Sequence, residues 1–295
     1  TDNWQSAVDS ASRLKADDAA TLLAFLLDRA DAEPQTDSRA AMVRNCAEQA
    51  RFVTHTDRKA EIVGAILARD PSPAALSHLF VAAVTPPRLE DVAGVALESY
   101  LRGRTTTAGR GACRDITRML AGLHGCDGLA ARTWEERLLA VCEGFDDFEL
   151  LVTAAEVMLP RADVDRFVGF YRRALASADY PSGRECMLRC VNLAGRVPSS
   201  LRWQALTDAL QAVRKSPFYA SELSERRFKS EAGRYKRHGE YIESYQQTHE
   251  RLVDLLEDCI EQTTDRERLV ALVRLCPAHH ETLTSVHRKA MELLL

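Results

Sequence analysis

The chain has 295 residues, 46% of them hydrophobic and 28% charged, which is enough apolar surface to bury a core and enough charge to keep a folded chain in solution. A net charge of -4 at pH 7 and a pI near 6.1 exclude a whole-surface attraction to nucleic acid or anionic membrane, so any such contact must be local. The longest apolar run, Leu22 to Leu27, falls far short of the roughly 18 to 20 residues of a membrane-spanning helix.

The chain opens Thr1-Asp2-Asn3-Trp4, without an initiator Met or a basic-then-apolar signal, and is expected to be a segment of a longer protein. A first helical hairpin is predicted up to about residue 32, where Ala19, Leu22, Leu23 and Phe25 fall on Val92, Val95, Ala96 and Glu98. Five hairpins follow between residues 38 and 215. They are of two alternating kinds. For the first, a shift of about 75 residues lays Leu76 on Leu151, Ala82 on Val157, Leu89 on Val164, Val92 on Phe167, Gly94 on Gly169 and Val95 on Phe170. Proline marks the turn in both copies, Pro86-Pro87 and Pro160, and ends the first helix of each. For the second kind, a shift of about 73 residues lays Cys113, Leu120, Ala121 and Gly122 on Cys186, Leu193, Ala194 and Gly195. An earlier copy brings Met42, Cys46, Ala50 and Val53 onto Cys186, Cys190, Ala194 and Val197.

After each of the two later copies a loop leads to a helix carrying Trp134 or Trp203, read as buried packing anchors between neighbouring hairpins. Helix starts are predicted at Asp17, at Ser72 ahead of Pro73, at Asp146, and at Thr264 ahead of Asp265. Gly94 and Gly169, inside second helices, are expected where two helices approach closely. Sustained polar–apolar alternation is missing, so no strands are predicted.

Between residues 216 and 240 the period breaks. Arg226, Arg227, Lys229, Arg234, Lys236 and Arg237 are interleaved there with Phe218, Tyr219, Phe228 and Tyr235. A helix then returns from Tyr241 and Tyr245 through Leu252, Leu255, Leu256 and Ile260, followed by a hairpin over 266–276 and 281–295. The apolar ending Met291 to Leu295 predicts that more chain follows. The domain reading is a helical-repeat array over 1–215, a basic and aromatic insertion or irregular helix over 216–240, and helical hairpins that continue or cap the array over 241–295.

No catalytic, cofactor or metal motif is present in the sequence: no phosphate loop, no dinucleotide fingerprint, no nucleophile elbow. His124 with Cys126, and Cys276 with His279 and His280, lack the paired spacing of a four-ligand zinc site. Cys186 and Cys190 sit one turn apart and read as small core residues, and the eight cysteines as reduced, buried thiols in a cytoplasmic compartment. The basic, aromatic segment exceeds what packing demands. Phe218, Tyr219, Arg226, Arg227, Phe228, Arg234, Tyr235, Lys236 and Arg237 are the expected partner-binding residues, offered to an acidic protein surface.

Hairpins of about 37 residues, with proline at the turn, Gly94 and Gly169 in second helices and Trp134 and Trp203 at the junctions, resemble HEAT or armadillo-type α-helical repeats. That resemblance implies an all-α solenoid that serves as a non-enzymatic protein–protein interaction scaffold without cofactor. The Ala-, Arg- and Leu-rich usage is similar to that of GC-rich bacteria, whose HEAT-like type III secreted effectors bind host proteins, and implies cytoplasmic residence or secretion into a host cell. Two other readings stand beside it. One is a nucleic-acid-binding HEAT-like protein using the basic 214–238 segment, and the other an all-helical regulator of type III secretion.

Overall fold

The computed structural model describes residues 14, 16–69, 71–103, 109–159, 163–177, 184–215, 238–276 and 283–295. Among them it is all-α, with helices α1 (Ala16–Ala32), α2 (Thr36–Gln49), α3 (Thr56–Leu67), α4 (Pro73–Val84), α5 (Glu90–Gly103), α6 (Arg110–Leu123) and α7 (Leu129–Cys142). There follow α8 (Phe148–Met158), α9 (Val164–Ala176), α10 (Arg184–Arg196), α11 (Ser199–Lys215), α12 (His238–Glu261), α13 (Arg266–Leu275) and α14 (Thr284–Leu294). A short 3-10 turn, Ala50–Phe52, joins α2 to α3. The chain divides into two compact units, Thr1–Phe145 and Asp146–Leu295.

The starts of α4, α5, α6 and α7 recur in α8, α9, α10 and α11 after 75, 74, 74 and 70 residues. The starts of α1, α2 and α3 precede those of α5, α6 and α7 by 74, 74 and 73. Packing has the same alternation within each unit. In the first, α1, α3, α5 and α7 touch in succession along one row and α2, α4 and α6 along another, with α1–α2, α2–α3, α4–α5 and α6–α7 joining the rows. In the second, α9, α11 and α13 form one row and α8, α10, α12 and α14 the other.

Sequence explains who sits in the middle. Helix α4 is apolar almost all round and buries Ala75, Leu76, Leu79, Phe80, Ala82, Ala83 and Val84, as α8 buries Leu150, Leu151, Val152, Ala154, Ala155, Val157 and Met158. A helix without a polar face must be covered on several sides, and α4 touches α2, α5, α6 and the 3-10 turn. By contrast α6 buries a stripe, Cys113, Ile116, Met119, Leu120 and Leu123, at helical spacing.

Two predicted starts shift by one residue. Ser72 does cap α4, its hydroxyl accepting from the Ala75 N–H at 3.4 Å with Pro73 in the first turn. Asp147, not Asp146, caps α8 by accepting from Leu150 N–H at 3.0 Å, while Asp146 pairs with Arg173 at 2.8 Å. Asp265, not Thr264, caps α13 through Glu267 and Arg268 N–H groups at 3.0 and 3.3 Å. In both pairs the residue next to the helix caps it, because its carboxylate reaches the second and third amides of the first turn. Asp17 lies inside α1 rather than ahead of it.

The close-approach glycines are the other pair. A Cβ on Gly122 would stand 2.9 Å from Val81 Cγ2, and one on Gly195 2.9 Å from Leu255 Cδ2. At Gly94 the nearest atoms, in the Trp134 indole, would be 4.0 Å away, and at Gly169 nothing comes within 4 Å. Thus the α6–α4 and α10–α12 contacts within each unit, and not the second helices, need glycine.

Candidate interaction surface

Gly94 has another use. Helix α5 packs on α7, and the Trp134 indole faces α5 at position 94, its nearest atoms 4.0 Å from where a Cβ would stand. Phe80 from α4 meets the same indole edge-on, with centroids 5.8 Å apart at 79°. Trp134 is therefore held from below yet only half-buried, which corrects the expectation of a fully buried anchor. Trp203 is also half-buried, with Arg268 over its ring at 5.9 Å.

Above Trp134 an open cleft of about 620 Å³ runs between α5 and α7, lined by Glu90, Asp91, Gly94, Val95, Arg102 and Trp134 among others. Glu90 and Asp91 stand in the first turn of α5, where the helix dipole favours carboxylates. Val95 is 52% exposed on the cleft wall. At its far end Glu98 and Arg137 form a two-pronged ion pair from α5 to α7, one contact at 3.1 Å, and the arginine's hydrogen bonds hold the Glu98 carboxyl below its usual range. Among the described residues no basic side chain pairs with Glu90 or Asp91 at the open end. The cleft can take a cation against an indole and two carboxylates.

The expected partner-binding residues Phe218, Tyr219, Arg226, Arg227, Phe228, Arg234, Tyr235, Lys236 and Arg237 lie outside the described residues, as do His279 and His280. Of the seven cysteines whose side chains are described, Cys46, Cys113, Cys142, Cys190, Cys259 and Cys276 are buried free thiols and Cys126 is half-buried. Burial pushes the thiols of Cys46 and Cys276 up to about 12. Among the described residues no group of three or more His, Cys, Asp or Glu side chains could hold a metal ion, and no helix is long and apolar enough to cross a membrane.

Sequence reasoning did not find the buried polar ties. Tyr171, 1% exposed, donates its hydroxyl to the carbonyls of Cys190 and Ala205, each at 3.2 Å, linking α9 to α10 and α11. Lys59, fully buried at the start of α3, donates to the carbonyls of Thr85 and Pro87 at 2.6 and 3.1 Å. Burial brings its pKa down to about 8. The only hint was a lysine one turn into an otherwise amphipathic helix, which reads equally well as a surface residue.

No family model matches the chain, and no curated protein matches it. Among solved structures it is similar to a chain described as a computational design of self-assembling cyclic protein homooligomers, at 12% identity and a TM-score of 0.22, over 98% of this chain and 96% of that one. A likeness at that level carries no argument about fold or assembly.

Proposed function

We propose that this chain is a non-enzymatic protein–protein interaction scaffold, a HEAT-like α-solenoid of hairpins, whose α5–α7 cleft receives a basic side chain of its partner. One observation carries the reading: Gly94 leaves open a space that no described side chain of this unit fills, floored by the half-buried Trp134 and edged by Glu90 and Asp91. A helix pays roughly 1 kcal/mol for glycine in its interior, and at Gly94 the packing does not require it. An indole beside carboxylates suits a guanidinium, which stacks on the ring while its N–H groups meet the carboxylates. The two-row packing within each unit supports the solenoid reading. Residue usage similar to that of GC-rich bacteria supports a host-protein target of the effector kind.

The test is a peptide selection from a random displayed library on the whole chain. Selected peptides should share an Arg or Lys and lose at least tenfold in affinity on Val95→Arg, which places a cation in the cleft from an exposed position. Peptides that lack a basic residue, or that bind Val95→Arg as well as the parent, would overturn the proposal.

A further inference from the structure

A second surface of the first unit has the opposite charge. Helices α2 and α6 and the 3-10 turn all pack on α4, and they bring arginines to one stretch of it. Arg118 of α6 donates to Ser77 Oγ at 2.7 Å and pairs with Asp115 at 2.9 Å, so it is fixed beside Ser77 and His78. Ser77 Oγ in turn lies 3.0 Å from Asp115 Oδ1, which is the acceptor. Arg44 of α2 and Arg51 of the 3-10 turn, both exposed and seven residues apart, belong to elements that pack on the same helix α4. Burial, then Arg118, Arg44 and Arg51 in that order, lowers the half-buried His78 to a pKa of about 4, so the imidazole is neutral at pH 7.

Asp115 answers only one of the three. Among the described residues no carboxylate pairs with Arg44 or Arg51. Arg51 lies instead over the ring of Phe52, 4.8 Å from its centroid, and Phe52 is 37% exposed. Unneutralised arginines in a chain of net charge -4 are a local excess that internal pairing does not account for.

We propose that Arg44, Arg51 and Phe52, backed by Arg118 and His78, form a docking site for an acidic segment of a protein partner. The chemistry required is a carboxylate that accepts from the guanidiniums and an apolar group that covers Phe52. A free phosphate would use the arginines and leave the ring uncovered. A nucleic acid strand would need a longer basic track than these three residues supply, because each neutralised phosphate adds one increment to its affinity. This site is distinct from the Trp134 cleft and stands if that reading fails.

The test titrates the whole chain with three probes: a Glu-rich peptide carrying one Leu or Phe, inorganic phosphate, and a single-stranded oligonucleotide. The peptide should bind with an affinity that falls as salt is raised, and Arg44→Glu/Arg51→Glu should weaken it at least tenfold at an unchanged melting temperature. Arg44→Ala/Arg51→Ala, which adds no new charge, should give an intermediate loss, and in both variants the His78 resonance should titrate at higher pH than in the parent. Val95→Arg should leave peptide binding intact. Peptide affinity indifferent to both double variants, tighter binding of phosphate or of the oligonucleotide than of the peptide, or an unmoved His78 titration would each overturn the proposal.

Discussion

Lys59 shows how one residue couples burial to stability. Its ammonium has no access to water and closes two carbonyls at the end of α4, Thr85 and Pro87. Lys59→Met would leave both without that donor, and should cost about 1–3 kcal/mol in thermal or urea melts. The pH dependence has a defined sign. An unfolded lysine holds its proton up to about 10.4, whereas burial lowers the folded value to about 8. Folding therefore releases a proton between those limits, and the parent gains stability as pH rises through them. The parent's advantage over Lys59→Met should grow from pH 8 to pH 10, and a constant difference would show that the ammonium keeps its ordinary affinity. The cysteines make a simpler test: Cys126, half-buried, should be alkylated by iodoacetamide before buried Cys46 or Cys276, read by peptide mass spectrometry. Labelling of Cys46 at the rate of Cys126 would contradict the burial that raises its thiol pKa.

At the scale of elements, glycine separates packing from vacancy. Val81 is β-branched and stiff at χ1, so it cannot turn away from a new methyl on Gly122, whose Cβ would stand 3.5 Å from Val81 Cβ as well. Gly122→Ala should destabilise by about 1–3 kcal/mol through overpacking. Gly195→Ala should act in the same direction with a smaller effect, since it meets the terminal methyls of Leu255. Gly94→Ala and Gly169→Ala, free of close contacts, should stabilise by about 0.5–1 kcal/mol. Melting temperatures of the four variants check this, and a common sign for all four would refute it. Both glycine pairs were legible in the sequence as repeated positions. Which pair marks the close approach was not, because that depends on how deep the facing residue reaches, Val81 or Leu255, some 40 and 60 positions away. Helix order and the capping at Ser72 were legible for the opposite reason: period and caps are local.

For the molecule as a whole, sequence pattern predicts helices throughout, and the described residues are all-α; each row gathers alternate helices and so mixes the two predicted kinds of hairpin. Neither proposed surface was legible in the sequence. The cleft needs Gly94, Val95 and Trp134 together, and the basic face needs Arg44, Arg51, His78 and Arg118, residues contributed by separate helices without any common spacing. Sequence instead drew attention to the one contiguous basic segment, 216–240. Gly94 and Trp134 are proposed to hold open a site for a partner's cation. The direct measurement is calorimetric titration of one selected basic peptide into the parent, Val95→Arg, and Arg44→Glu/Arg51→Glu. Val95→Arg alone should lose at least tenfold in affinity, about 1.4 kcal/mol, with the arginine variant binding as the parent does. Equal affinity for the parent and Val95→Arg would contradict it.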